Sequence, residues 1–424
     1  MSRTLLFPGM ALLAALCVGV SLAEGPQRRP AAGRRHPITE PTEAVKLVAP
    51  DARDGDEFGR SVAIYGPTIV VGAPGEVTHV KPPSAGSAHV FSGKNWIWRH
   101  DQELVASDYQ DGASFGRSVA VWEDTIAVGA EHADVSGVEN AGSVYVFIRS
   151  EDRWVPQQKL VPADPGVENH FGHALALWGD TLVVGTWGCN KVYIFERSGA
   201  WWTLVRRLHK PSPEGGNFGV SVALSDTTLV VGSEWSDLAG CYRGGAAFVF
   251  ETKGDAWEQT QGLTASDAQY DDRFGSSVAM SDDTIVIGAL RDDHGSSANS
   301  GSAYVYTRAE AEWVESQKLI SGTPGEERQF GSSVCVCRNH MMIGAPRDTP
   351  LGLANAGCGY FYTQSAGTWR SVDTVWASDA RAGNLFGEVA VHGRTAVVGA
   401  RLADHSDLID PGAAYVFLLP VRVN

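Results

Sequence analysis

Basic residues are scarce in this sequence. Lys and Arg total 34 against 49 Asp and Glu, for a formal charge of −15. No basic patch or stripe runs through it, which argues against a nucleic-acid partner. Cysteine is scarce too, at 6 of 424 residues, with no Cys-x-x-Cys pair and no zinc-ligand spacing. There is no Gly-x-Ser-x-Gly elbow, no His-Glu-x-x-His helix and no glycine loop leading into a helix. The linear signatures of serine hydrolases, zinc proteases and nucleotide enzymes are therefore missing. No Asn-x-Ser/Thr glycosylation acceptor occurs, and no apolar run after the N-terminal stretch is long enough to cross a membrane. Disorder is excluded by a 43% hydrophobic content. What the chain has in excess is glycine, 48 residues spread evenly among strand-forming residues, which points to many tight turns.

The N-terminus reads as a signal peptide over residues 1–23. Arg3 supplies the positive start, Leu5 to Ala23 is almost wholly apolar, and Ser21 and Ala23 offer small residues before Glu24. An uncleaved anchor is the alternative. Residues 24–43 read as a linker rich in proline and in the paired arginines Arg28, Arg29, Arg34 and Arg35. Secretion is the expected localisation, and 420–424 reads as a short tail.

Phe-Gly recurs with a fixed sequel, at Phe58, Phe115, Phe171, Phe218, Phe274, Phe330 and Phe386. Successive spacings of 57, 56, 47, 56, 56 and 56 residues mark a repeat architecture. Each unit holds four short strand-like runs. In the fifth they are Ser277–Met280, Thr284–Gly288, Ser302–Tyr306 and Ser316–Leu319. The runs are rich in β-branched and aromatic residues and bounded by Gly, Ser and Asp. They are apolar on both faces, as blades stacked around an axis require. The seventh unit stops after Ala414-Tyr415-Val416-Phe417, whereas a spare strand, Ala44-Val45-Lys46-Leu47-Val48, precedes the first Phe-Gly. An N-terminal strand completing the last blade would close the ring and remove two sheet edges. The expected fold is all-β: a monomeric, seven-bladed β-propeller of four-stranded antiparallel blades over residues 44–419.

The unit resembles the FG-GAP repeat of integrin α-subunit heads and of secreted microbial and protist proteins. Phe-Gly opens it, and Gly-Ala-Pro ends its second strand at Gly72-Ala73-Pro74 and Gly344-Ala345-Pro346, with related tripeptides elsewhere. The resemblance implies a binding module for adhesion or recognition. It also implies ligand contacts on the face carrying the long loops. Integrin propellers hold calcium in Asp-x-Asp-x-Asp-Gly loops between the first two strands. Here that connection is a tight turn, as at Tyr65-Gly66 and Ser281-Asp282, too short for six to eight oxygen ligands. The metal sites are therefore not carried over. No cofactor is expected, and calcium is retained only as an irregular candidate at Asp51, Asp54 and Asp56 or at Asp267, Asp271 and Asp272.

Long loops join the second strand to the third and each blade to the next, which places them on one face. That face is acidic, and its candidate ligand-binding residues are Asp54, Asp56, Asp108, Asp111, Asp271, Asp272, Asp292, Asp293, Asp404 and Asp407. Trp187 and Trp235 stand there too, the first in place of the Gly-Ala-Pro proline, and exposed aromatics favour protein and sugar contacts. Trp98, Trp154, Trp257, Trp313 and Trp369 recur at one repeat position and read as structural. Cys189 and Cys241 are the candidate disulfide pair; Cys335 and Cys337, two apart on a strand, read as core. The leading expectation is an extracellular module that binds a protein or glycan and is not an enzyme. The alternatives are a structural wall or matrix protein without a dedicated ligand, and a propeller hydrolase or lyase acting on polysaccharide.

Overall fold

The computed structural model describes residues 40–76, 85–94, 96–211, 216–237, 240–254 and 256–420. The expected signal peptide and nearly all of the expected linker fall outside these residues. The described chain forms seven four-stranded antiparallel sheets. Blade one contains β2 (Ser61–Tyr65), β3 (Thr68–Ala73), β4 (Ser87–Lys94) and β5 (Ile97–Leu104). Blades two to six repeat that up-and-down order from Phe115 to Val375. Blade seven is built from β26 (Phe386–His392), β27 (Thr395–Ala400), β28 (Ala413–Leu418) and β1 (Thr42–Leu47). β1 pairs with β28 from Thr42↔Leu418 to Leu47↔Ala414, so the strand begins two residues before the expected linker boundary. No helix among the described residues is long and apolar enough to cross a membrane.

The hydrophobic core lies between blades rather than within them. Val70, Ala88 and Val90 of blade one pack with Phe115, Ile126 and Tyr145 of blade two. Ile69 and Val71 pack on the other side with Val397, Ala414 and Val416 of blade seven. Strands buried on both faces must be apolar on both, which is why the middle strands do not alternate.

Two devices set the spacing between blades. The Gly-Ala-Pro glycine permits backbone contact: a Cβ on Gly72 would stand 1.9 Å from the carbonyl oxygen of Gly116 in the next blade. Ser61 Oγ donates to that same oxygen at 2.9 Å, and Ser118, Ser221 and Ser277 make the same bond from blades two, four and five to the blade that follows. On the outer rim a glutamine holds the backbone of the next blade's tryptophan. Gln317 Nε2 donates to Trp369 O at 2.8 Å, and Trp369 N donates back to Gln317 Oε1 at 3.0 Å. Gln102 and Gln261 hold Trp154 and Trp313 in the same way, so these three of the recurring tryptophans are structural fixtures.

Candidate binding site on the long-loop face

Tyr65 pairs directly with Thr68, leaving Gly66 and Pro67 as a two-residue turn. The opposite face carries the long connections, and there the Phe-Gly phenylalanine N–H bonds to the preceding blade, to a backbone carbonyl at six boundaries and to Asn190 Oδ1 at Phe218. Phe115 N donates to Ala85 O at 2.9 Å, and Phe58 N to Pro411 O at 3.0 Å. Loops anchored this way can present side chains in fixed positions.

Most of the acidic candidates on this face organise their own loops. Three of them are withdrawn from any ligand. Asp56, Asp272 and Asp292 are fully buried. Asp56 Oδ2 accepts the Arg53 N–H and Asp272 Oδ2 the Gln269 N–H, each at 2.6 Å. Asp292 accepts from Ser302 Oγ and Tyr304 OH, and pairs with Lys318. A carboxylate this deep is held because loop N–H and hydroxyl groups need an acceptor there. Asp293 and Asp404 accept backbone N–H groups of Asn299 and Asp410, and Asp54 accepts that of Ile409. Asp108 takes Tyr145 OH and Lys159 Nζ, and Asp271 pairs with Arg273 and Arg291. Asp111 and Asp407 stay exposed.

Cys189 and Cys241 are free thiols, not a disulfide. Each sulfur is turned to its own surroundings, Cys241 Sγ donating to Ala268 O and Cys189 Sγ to Thr186 Oγ1, both at 3.2 Å.

Trp187 and Trp235 are brought together. Their rings meet edge to face, with centroids 5.9 Å apart. They form the middle of an aromatic arc that crosses from blade two to blade five. His132 contacts His170 at 5.1 Å, and His170 contacts Trp187 at 5.3 Å. On the far side Arg243 lies over the rings of Trp235, at 5.4 Å, and Tyr242, at 5.2 Å. Tyr242 then stacks on Tyr270 at 5.6 Å, with 52% and 74% of their surfaces exposed. The short loop after Trp187 leaves room for this meeting: only five residues, 186–190, join the second and third strands of blade three.

Beneath the arc lie polar groups without partners. His170 Nδ1, Asn217 Oδ1 and Trp235 Nε1 are buried and make no hydrogen bond. Asn217 Nδ2 donates to Glu234 Oε1 at 2.8 Å, and burial pushes the Glu234 carboxyl above its ordinary range. Glu131, beside His132, behaves oppositely. Its burial would raise the carboxyl, but His173 at 2.5 Å and Arg117 at 2.7 Å hold it at about 2.

The channel wall carries a second polar set. The residue directly after each Phe-Gly lies in the first strand of its blade or just before it, and at four places it is ionisable: Arg117 and Glu388 within the strand, Arg60 and His173 one residue ahead of it. Burial lifts the Glu388 carboxyl to about 7, opposed by the charge of Arg117 two blades away. The sequence signal for this set was an ionisable residue directly after Phe-Gly. Tyr242, Tyr270 and His170 were equally visible but belonged to no motif.

No curated protein matches the chain. A family model described as the FG-GAP repeat matches residues 41–91, 98–147, 154–200, 202–250, 257–306 and 369–417. The unit it passes over, blade six, has the same four strands and the same Phe330-Gly331 opening. With the matched units spread around the whole ring, this chain belongs to the FG-GAP repeat family.

Proposed function

We propose that this chain is an extracellular binding module that recognises a protein or glycan through the long-loop face of blades three to five. An FG-GAP propeller fold suggests a protein-binding or adhesion-type module, and it is read here as a non-enzymatic one. The observation that carries the proposal is the arc from Trp187 to Tyr270, with unpartnered polar groups buried under it. Rigid aromatic surface costs little conformational entropy to bury, and buried polar groups without partners gain most from a ligand that supplies them. The channel and the acidic loops are supporting scaffold in this reading.

The test is capture of a panel of extracellular matrix proteins and immobilised glycans by the wild-type chain and by a Tyr242→Ala/Tyr270→Ala variant. Saturable capture of a protein or a glycan that the variant loses supports the arc. Equal capture by both places recognition elsewhere, and capture of nothing by a folded wild-type chain favours a structural matrix role.

A further inference from the structure

Three blades share one arrangement at the long-loop end. An Asp from the blade-to-blade loop accepts a phenol from the third strand and an ammonium from the fourth. In blade two Tyr145 OH and Lys159 Nζ both reach Asp108 at 2.6 Å. In blade five Tyr304 and Lys318 reach Asp267 at 2.8 and 2.6 Å. In blade seven Tyr415 and Lys46 reach Asp379 at 2.6 and 2.7 Å. The Tyr and Lys are cross-strand partners in every case.

Blade one departs from this pattern at both partner positions. The Asp is Asp51, the phenol is replaced by the imidazole of His89, and the cross-strand partner is Glu103. A second carboxylate, Glu76, enters from the β3–β4 loop. Blade five also has a second carboxylate, Asp292, but there Lys318 pairs with it at 2.6 Å. The exchange in blade one turns a set of donors into a set of ligands.

Three candidate ligands converge at this point. One ligand atom each from Asp51, Glu76 and His89 lies within 4.8 Å of the others. Glu76 and His89 are 1% and 0% exposed. Glu76 Oε2 is 2.8 Å from His89 Nε2 and accepts from Ser87 Oγ, which is itself 3.0 Å from His89 Nε2. Glu76 Oε1, buried as deeply, has no hydrogen-bond partner. An acceptor oxygen without a partner is costly in such a place unless something binds it. On the other edge of the ring, His89 Nδ1 lies 3.1 Å from His100 Nε2. In the tautomer that donates Nδ1–H to His100, the Nε2 lone pair is presented to Glu76. Metal-bound histidines are commonly fixed by such an outer contact. Arg53, in the same loop as Asp51, is a lesser positive neighbour of Glu76 than His89 is.

We propose that Asp51, Glu76 and His89 bind one divalent ion of the zinc type at the long-loop end of blade one. An imidazole with two carboxylates suits zinc and its first-row neighbours, whereas calcium asks for six to eight oxygens. The ion would join the loop that follows β1 to the β3–β4 loop and so pin the closing strand to the first blade.

The experiment uses the full chain, stripped with chelator and titrated with Zn(II) and with Co(II). The variants are Glu76→Gln, His100→Ala and the double change His89→Tyr/Glu103→Lys, which restores the pattern of blades two, five and seven and is expected to fold. One equivalent should bind to the wild type, with a Co(II) absorption spectrum of low-coordinate type and a raised Tm. His100→Ala should weaken binding by about 10-fold, and the double variant should lose it while keeping or raising its metal-free Tm. Absence of stoichiometric binding to the wild type would overturn the proposal. So would binding that the double variant retains, or a preference for Ca(II) over Zn(II).

Discussion

The indole rings of Trp187 and Trp235 meet edge to face at 5.9 Å across the boundary between blades three and four. That contact exists because the loop after Trp187 is short. Trp235 is half-buried and also packs under Arg243, so its truncation mixes two effects. The outer tyrosines separate them. Tyr242→Ala/Tyr270→Ala should weaken partner binding by at least about 10-fold, as an interface anchor does. Its unfolding free energy should change by less than about 0.5 kcal/mol, as expected of exposed side chains. Denaturant unfolding beside a binding titration checks both.

Gly72 and Gly112 make a matched pair. Gly72 has the Gly116 carbonyl where a Cβ would go, while nothing lies within 4 Å of a Cβ on Gly112, whose φ is +72°. Gly72→Ala should therefore force blades one and two apart and cost about 3 kcal/mol, at the upper end of what overpacking usually costs. Gly112→Ala bears only its backbone strain, about 1 kcal/mol. Similar midpoints for the two variants in urea would refute the contact argument.

Asp272 and Asp407 were equivalent in the sequence and differ in the fold. Asp272 is buried and accepts the Gln269 N–H, whereas Asp407 is exposed. Asp272→Ala should cost about 1–3 kcal/mol by stranding that N–H, and Asp407→Ala should lie within about 0.5 kcal/mol of wild type. Thermal melts at neutral pH distinguish the two.

Glu388 and Glu131 act on opposite limbs of the pH–stability curve. Burial lifts Glu388 to about 7, so its contribution is fully present below its ordinary 4.5 and is lost as pH rises through about 7. Glu131 is held at about 2, so its contribution is fully present above 4.5 and is lost as pH falls toward 2. Glu388→Gln should raise Tm at pH 8 relative to wild type and do little at pH 4.5. Glu131→Gln should flatten the acid limb, by an amount on the order of 2–3 kcal/mol. Melts of both variants at several pH values between about 2 and 8 test the signs.

The fold was legible because one dipeptide repeats at near-constant spacing. Phe-Gly marks a position where the chain must pass close to the preceding blade, and only a repeated steric demand produces such regularity. The site was legible only in part. Trp187 and Trp235 stood out because they interrupt the repeat. Tyr242 and Tyr270 did not, since one lies in a loop within a blade and the other in the loop that enters the next. Their stacking is a product of the ring. The acidic loops misled for a related reason. An Asp that accepts a loop N–H and an Asp that faces solvent both stand in a polar loop, and nothing in their flanking residues tells them apart. Burial of Asp56, Asp272 and Asp292 follows from which backbone donor lies within reach, and that is set by the fold. The exchange of Tyr for His89 and Lys for Glu103 was readable from the aligned repeats. Its meaning required Glu76, which only the β3–β4 loop brings in.

The pairing of Thr42 with Leu418 fixes how blade seven responds to tension. These residues sit opposite one another at one end of the β1–β28 ladder. A pull applied through them would load the terminal hydrogen bonds first and open the ladder rung by rung, as a zipper opens. A pull along the strands in opposite directions would load all the rungs together. The seventh blade is thus the mechanical fuse of the ring: stretched from these two points, it should part at low force while the other six blades remain intact.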